Sequence, residues 1–164
     1  MTAPPVLSAT RLVVLDVDGV LTDGRFYLSD DGAETKAFST QDGYGIRQLL
    51  RAGIAVAVIS GRESNALALR MQELGVQHVV QGCKDKVAAF DRLAGSLNIG
   101  NAESVFVGDD LPDLPLLRQV GVAIAVANAV ADVRTACDFI TTASGGFGAV
   151  REVCDLVLQA VDRK

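Results

Sequence analysis

The chain has 164 residues, of which 49% are hydrophobic and 5% aromatic, and its formal net charge is −5. This length fits one domain of ordinary size, with a core large enough to fold without disulfides or structural metals. A negative charge without a dense basic run argues against a protein that wraps nucleic acid. The sequence shows neither a signal peptide nor an apolar run of the ~18 residues that span a bilayer.

The cysteines and the histidine do not predict a metal site or a catalytic triad. Cys83, Cys137 and Cys154 are odd in number and match no metal-site spacing, so we expect reduced thiols in a cytoplasmic protein. His78 is the only histidine, which leaves little basis for a histidine zinc site or a Ser-His-Asp triad.

A buried strand near the start leads into two aspartates. After a loose lead-in over residues 1–10, the apolar run at about 11–17 predicts a central parallel strand. Asp16 and Asp18 stand on one face of its carboxyl end, where open α/β sheets bind ligands. Two such carboxylates repel each other unless a cation or a shared proton lies between them. The alternative is a plain turn, for which Asp-Gly is a common signal.

The next segment, at about 23–38, predicts a β-hairpin. Two short runs, 26–28 and 34–38, flank the turn sequence Ser-Asp-Asp-Gly. The aromatic residues of this hairpin cannot all face the main sheet, so they need a cover from this chain or from another subunit.

Strands and helices then alternate to the end of the chain. We predict further strands at 54–59, 76–80, 104–107, 122–126 and 139–140. We predict helices from Ser39 to about 52, at 63–74, from Lys86 to about 97, from Pro112 to 119 or 120, at 130–136 and at 149–161. Residues 141–148 are expected to be flexible. The alternation predicts an α/β fold with a doubly wound, mainly parallel sheet, in one domain over residues 1–164, with the hairpin inserted after the first strand and a C-terminal tail at about 144–164.

Chemically useful residues follow several of the predicted strands. They are Asp16 and Asp18, Ser60 and Arg62, Lys86, and Asp109, Asp110 and Asp113. Three or more carboxylates without histidine or cysteine form a hard oxygen site that suits Mg²⁺ better than Zn²⁺. A hydroxyl, a lysine and arginines beside that site suit a phosphate, so the set predicts phosphoryl transfer.

The spacing of Asp16 and Asp18 has a mechanistic use. Asp16 can attack phosphorus in line and form an aspartyl-phosphate. Asp18 can protonate the leaving oxygen and then deprotonate the hydrolytic water. The other roles expected are metal binding by Asp16 and Asp109, orientation of that site by Asp110 or Asp113, phosphoryl binding by Ser60 and charge balance by Lys86.

The segments Asp16-Val17-Asp18-Gly19-Val20, Ser60, Lys86 and Gly108-Asp109-Asp110-Leu111-Pro112-Asp113 resemble the four motifs of the haloacid dehalogenase-like phosphatases. Two further blocks, Asp42-Gly43-Tyr44-Gly45-Ile46-Arg47 and Gly145-Gly146, resemble a cap-less subgroup that acts on the 8-phosphate of an eight-carbon sugar acid. This resemblance implies a haloacid dehalogenase-like, Rossmann-like fold and a Mg²⁺-dependent phosphomonoesterase in lipopolysaccharide precursor biosynthesis.

The resemblance also implies features that the residues alone do not give. It implies a homotetramer in which the hairpins pair at the centre and tail segments reach a neighbour's active site. It implies that Asp18 holds the metal through its backbone carbonyl. The implied substrate contacts are Asp18, Ser39, Thr40, Gln41, Asp42, Gly43, Arg47, Arg62, Arg70 and Lys86. Gln41 and Phe147 depart from the subgroup, which often has basic residues at these positions.

Three alternatives remain open at this point. The substrate could instead be a nine-carbon acylneuraminate or deaminoneuraminate 9-phosphate, although Arg62 favours the eight-carbon acid. A receiver-like phospho-binding module also has acidic strand ends, but it has no use for Asp18. A non-catalytic subunit that keeps the fold is the third possibility.

Overall fold

Six parallel strands form the central sheet of the computed structural model, which describes residues 5–162. The described residues contain eight strands in all: β1 (Leu12–Leu15), β2 (Tyr27–Leu28), β3 (Glu34–Thr35), β4 (Ala55–Ile59), β5 (His78–Val80), β6 (Ser104–Gly108), β7 (Val122–Ala125) and β8 (Phe139–Ile140). The sheet has the order β5-β4-β1-β6-β7-β8, and β2 and β3 pair separately as an antiparallel hairpin. The predicted fold class is confirmed.

Three of the helices begin at a residue whose side chain caps the first turn. The helices of the described residues are α1 (Thr40–Arg51), α2 (Asn65–Leu74), α3 (Lys86–Leu97), α4 (Leu114–Leu117), α5 (Ala131–Ala136) and α6 (Ala149–Val161). Side chains of Ser39, Ser64 and Asp85 accept hydrogen bonds from the first turns of α1, α2 and α3. Gly75 ends α2 in the left-handed conformation that glycine adopts without strain. None of the helices within residues 5–162 is long and apolar enough to cross a membrane.

The central strand β1 is covered on both faces. All four of its residues are buried, and it pairs with β4 on one side and β6 on the other. A parallel strand in this position must be apolar throughout, because helices cover both faces of the sheet. The run Leu12-Val13-Val14-Leu15 therefore fixes the strand that precedes Asp16.

The structure corrects three expectations about irregular segments. Residues 5–9 form a 3₁₀ turn with Leu7 fully buried, rather than part of a loose lead-in, while residues 1–4 lie outside the described range. The helix predicted from Pro112 to 119 or 120 is only a 3₁₀ turn at 111–113 followed by α4, since the chain must turn at Gly121 beside Ala102. Residues 141–148, expected to be flexible, are held by hydrogen bonds to Glu152, Asn128 and Val20.

A carboxylate of α1 completes the start of α6. The residue before α6 is Gly148, which has no side chain to cap the helix. Asp42 is 1% exposed, and its Oδ1 accepts the Arg151 N–H at 2.8 Å. Burial raises the pKa of the Asp42 carboxyl, although the N–H groups of Arg151 and Gly148 oppose that shift. Asp42 thus ties α6 to α1.

We expect Asp42→Ala to lower the free energy of unfolding by about 1–2 kcal/mol, because α6 loses its cap. Asp42→Asn keeps an acceptor oxygen and removes a buried charge, so it should retain most of that stability at pH 7. Chemical denaturation of both variants measures the difference. The exposed Asp30→Ala is the control and should change stability by less than about 0.5 kcal/mol. Equal stabilities of Asp42→Ala and the wild type would contradict the capping role.

Candidate active site

The site lies where the order of the strands reverses. The chain runs from β1 outward to β4 and β5, then returns to β6 on the other side of β1. Ligands of open α/β sheets bind outside the carboxyl ends of strands at such a switch point. Asp16 follows β1 and Asp109 follows β6, and the Asp16 N–H donates to the Val107 carbonyl at 3.0 Å. The two aspartates are therefore neighbours because their strands pair.

Three carboxylates and one lysine form the centre of the site. Single carboxylate oxygens of Asp16, Asp109 and Asp113 lie within 4.8 Å of one another. Lys86 Nζ donates to Asp16 Oδ1 at 2.5 Å and to Asp113 Oδ1 at 2.6 Å. Asp16, Asp113 and the Lys86 side chain are at most one-tenth exposed. The sequence predicted this convergence of strand ends, with Lys86 in the first turn of α3.

The loops after β1 and β6 have backbone conformations that allow the carboxylates to lie close to one another. Asp113 Oδ2 accepts the N–H groups of Asp109 at 3.0 Å and of Asp110 at 3.3 Å, which folds the loop after β6 back on itself. Gly19 has a φ of +95°, and a Cβ there would run into the Asp109 carboxylate. Only glycine therefore lets the loop after β1 lie against Asp109.

The electrostatics of the centre favour a cation. Burial, together with the charge of Asp113, raises the pKa of Asp16 to about 6 even though Lys86 opposes the shift. Burial and the charges of Asp16, Asp113 and Asp110 raise the pKa of Asp109 to about 8. Burial lowers the pKa of Lys86, but the two carboxylates that it contacts outweigh this effect and raise it. One lysine does not offset the negative charge, and oxygen donors of this kind fit Mg²⁺.

The Asp18 side chain points away from this centre. Its carboxylate pairs with Lys36 through Oδ1 and lies 3.8 Å from Arg62 Nε through Oδ2. The carboxylate cluster found in the described part of the chain contains Asp113 rather than Asp18. Nearby, Ser60 is 2% exposed and its Oγ accepts the Arg62 N–H at 3.2 Å. Ser60 and Arg62 follow β4, the neighbour of β1.

The other predicted substrate contacts lie around α1. Thr40, Gly43, Arg47 and Arg70 line a cleft of about 210 Å³, where Arg47 donates to the Glu73 carbonyl and Arg70 pairs with the Glu73 carboxylate. Among the described residues neither arginine forms an ion pair with the carboxylate cluster. Ser39 and Gln41 line a second cavity, of about 450 Å³, together with Thr40, Phe147 and others. Asp42 is buried under α6 and reaches neither cavity lining.

The tail loop packs against the loop after β1 of its own chain. Gly146 N–H donates to the Val20 carbonyl at 3.0 Å, and Gly145 N–H donates to Asn128 Oδ1 at 2.9 Å. A Cβ at Gly145 would overlap the carbonyl of Gly19, so glycine is required for this approach. Phe147 is 70% exposed at the edge of the larger cavity.

Comparison with known proteins shows the family to which this chain belongs. A model of haloacid dehalogenase-like hydrolases matches residues 79–152. The 3-deoxy-D-manno-octulosonate 8-phosphate phosphatase of Escherichia coli (strain K12) is 47% identical over 150 residues, which cover 92% of this chain and 80% of that protein. The chain belongs to the 3-deoxy-D-manno-octulosonate 8-phosphate phosphatase family. The resemblance predicted from the motifs is thereby confirmed.

Solved structures of the octulosonate phosphatase family share the fold. The Yersinia pestis phosphatase matches with a TM-score of 0.95 at 43% identity and covers 96% of this chain and 85% of its own. The Moraxella catarrhalis phosphatase, solved in complex with magnesium ion, phosphate ion and KDO, matches with a TM-score of 0.94 at 43% identity. The match covers 96% of this chain and 91% of the Moraxella catarrhalis chain.

Sequence reasoning missed one charged residue of the candidate site. The Lys36 side chain is 1% exposed and pairs with Asp18, although it belongs to the hairpin. Its position two residues after Glu34 in a predicted strand places both side chains on one face. That alternation was the available signal, but it does not reveal which face turns towards the site.

We expect metal-free protein to lose stability as pH rises from about 4 to 8. The folded pKa values of Asp16 and Asp109 are raised, so the folded state binds more protons than the unfolded state across this range, and stability falls until both groups are ionised. Mg²⁺ should therefore raise the melting temperature more at pH 8 than at pH 5.5. Thermal unfolding with EDTA and with Mg²⁺ at both pH values measures this effect. A Mg²⁺ shift that is equal at both values would contradict the assignment.

Proposed function

We propose that this protein hydrolyses 3-deoxy-D-manno-octulosonate 8-phosphate to the free sugar acid and phosphate, in the synthesis of lipopolysaccharide precursors. The observation that carries the proposal is the cluster of Asp16, Asp109, Asp113 and Lys86 at the switch point of a chain 47% identical to such a phosphatase. The cluster supplies the groups that phosphoryl transfer needs: a nucleophile, a metal site and a cation.

The chemistry takes place in two displacements. An Asp16 oxygen attacks phosphorus as the bond to the sugar oxygen breaks, and Asp18 gives its proton to that oxygen. Asp18 then takes a proton from water as the water oxygen attacks the aspartyl-phosphate, which releases phosphate and restores Asp16. Lys86 and the Ser60 hydroxyl would bind phosphoryl oxygens once substrate enters.

The donor set fits magnesium. The carboxylates of Asp16 and Asp109 and the backbone carbonyl of Asp18 would hold the ion. Burial, together with the charges of neighbouring carboxylates, raises the pKa of both side chains, and a cation would favour their ionised forms. Magnesium would neutralise charge on the phosphoryl group. Asp113 would orient Asp109 through the backbone N–H that it accepts. Asp110 would shape the same loop, since its side chain accepts the Leu111 N–H.

We expect Asp16→Asn to lower kcat at least about 10³-fold, since the amide cannot form the phosphoenzyme. Phosphate release from 3-deoxy-D-manno-octulosonate 8-phosphate with and without Mg²⁺ measures this effect. The exposed Asp132→Asn is the control and should keep wild-type turnover. Full turnover by Asp16→Asn would contradict the proposal.

Phosphate release, together with direct detection of the phosphoenzyme, separates the alternatives. A nine-carbon acylneuraminate or deaminoneuraminate 9-phosphate should be turned over more slowly than the eight-carbon substrate. A phosphoenzyme that accumulates without turnover would instead favour a receiver-like module. A protein with neither phosphorylation nor turnover would be a non-catalytic subunit.

We further propose a homotetramer joined through the hairpin. Tyr27 and Leu28 are 66% and 68% exposed on β2, which supports a partner surface there. The cleft of Arg47 and Arg70 contains no residue of the carboxylate cluster, so a neighbouring chain could bring such a cleft to the cluster. In that case Ser39, Thr40, Gln41, Gly43, Arg47 and Arg70 would contact the substrate, together with Arg62, which lies beside Asp18 of its own chain. Asp42 would act through its hold on α6.

We expect the wild type to have a mass near four times 17.2 kDa by light scattering. The double variant Tyr27→Ser, Leu28→Ser should have a lower mass, because it removes apolar surface from the hairpin. Ile140→Ser removes exposed apolar surface at β8, an edge strand of the six-stranded sheet, and should leave the mass unchanged. A double variant that stays tetrameric would contradict assembly through β2.

We also propose a cellular location and a domain organisation for the protein. All three cysteines are free thiols, which supports a cytoplasmic location. One hydrophobic cluster extends from Leu7 to Ala160, which supports a single catalytic domain over the chain.

A further inference from the structure

Lys36 is a buried lysine with a single short contact to the site. Its side chain is 1% exposed, and its Nζ donates to Asp18 Oδ1. Taking an ammonium group out of water is costly, and lysine is seldom buried unless it is paired. The partner here is the carboxylate to which the acid/base role was assigned above.

The hairpin holds this lysine within a small network of charges. Glu34 and Lys36 extend from the same face of the strand that contains β3, with Lys36 Nζ 3.7 Å from Glu34 Oε1. Glu34 Oε2 in turn accepts Arg62 Nη2 at 2.8 Å, and the Arg62 guanidinium lies 4.2 Å from the centre of the Phe26 ring. Both cations that flank Asp18 are therefore held by hairpin residues.

This network decides where the Asp18 carboxylate points. Asp18 is two residues from Asp16, and a further carboxylate in the cluster of Asp16, Asp109 and Asp113 would add to the repulsion there. Lys36 and Arg62 instead hold Asp18 on the hairpin side, outside the cluster.

We propose that Lys36 is a positioning residue that aims the Asp18 carboxylate at the oxygen of the leaving group. The inference rests on the proposed function, in which Asp18 gives its proton to the sugar oxygen as the bond from that oxygen to phosphorus breaks. The oxygen of a sugar alcohol leaves poorly without a proton, whereas the p-nitrophenolate ion leaves without one. A misplaced Asp18 should therefore slow phosphorylation of Asp16 by the sugar phosphate much more than by p-nitrophenyl phosphate.

A purely structural role predicts different behaviour. Replacing one member of a buried ion pair is destabilising when it leaves an uncompensated buried charge. Asp18, however, is 23% exposed and keeps Arg62 at 3.8 Å, and Glu34 keeps Arg62 at 2.8 Å, so both carboxylates that contact Lys36 retain a cation in Lys36→Met. We expect the melting temperature of Lys36→Met to equal or exceed that of the wild type.

The test compares phosphorylation rates of the Mg²⁺-loaded enzyme in rapid-quench and stopped-flow experiments. Lys36→Met should slow phosphorylation by the sugar phosphate about 10²-fold, within the range of general acid catalysis. It should change the p-nitrophenol burst rate less than about threefold. Lys36→Arg, which keeps a cation, should recover part of the lost rate. Arg25→Met removes an exposed cation from the same hairpin and should change neither rate.

Asp18→Asn, measured in parallel, separates failure of this inference from failure of the proposed function. If Asp18→Asn slows both substrates equally, the acid/base role of Asp18 fails and this inference fails with it. If Asp18→Asn slows only the sugar phosphate while Lys36→Met slows neither, this inference alone is overturned. Equal slowing of both substrates by Lys36→Met, or a Lys36→Met protein that does not fold, would assign Lys36 to structure and also overturn the inference.

Discussion

The site depends on one ammonium group held between two buried carboxylates. Lys86 bridges Asp16 and Asp113, which follow different strands and meet only when β1 and β6 pair. Without that bridge the strand ends would bring like charges together in a poorly solvated place, which is unfavourable. Even with it, the pKa of Asp109 stays raised to about 8. The fold is therefore assembled around an excess of negative charge that a metal ion can offset.

Stability for this arrangement comes from the apolar sheet beneath it. The four residues of β1 are fully buried, and so are Val105, Phe106 and Val107 of β6. Apolar burial contributes about 25 cal/mol per Å², so such strands offset the unfavourable electrostatics at their ends. The buried apolar strands β1 and β6 thus stabilise the fold enough to tolerate the repulsion between the carboxylates at their carboxyl ends.

Patterns local in sequence were sufficient to predict the strand ends. Asp16, Ser60 and Asp109 each follow an apolar run, and parallel strands bring such positions to one edge. The pairing of Lys36 with Asp18, and the capping of α6 by Asp42, could not be predicted in this way. Each joins segments whose approach is set by tertiary packing, and neither the hairpin's orientation nor the α1–α6 contact has a periodic signature. The length of helix α4 was overestimated for a similar reason. Gly121 lies close to the segment before β6, and this tertiary contact ends the helix at Leu117.

The hairpin has consequences for the site that its length does not suggest. Its β3 side turns Glu34 and Lys36 towards Arg62 and Asp18, while its β2 strand leaves apolar side chains exposed. The contacts of Lys36 with Asp18 and of Glu34 with Arg62 are ionic and partly buried, so added salt weakens them little. They hold the hairpin against the loops that follow β1 and β4. The outward surface is apolar, so covering it is favourable. Any contact that fixes the outer surface would therefore also restrict the inner one, which links the orientation of Asp18 to what covers the hairpin.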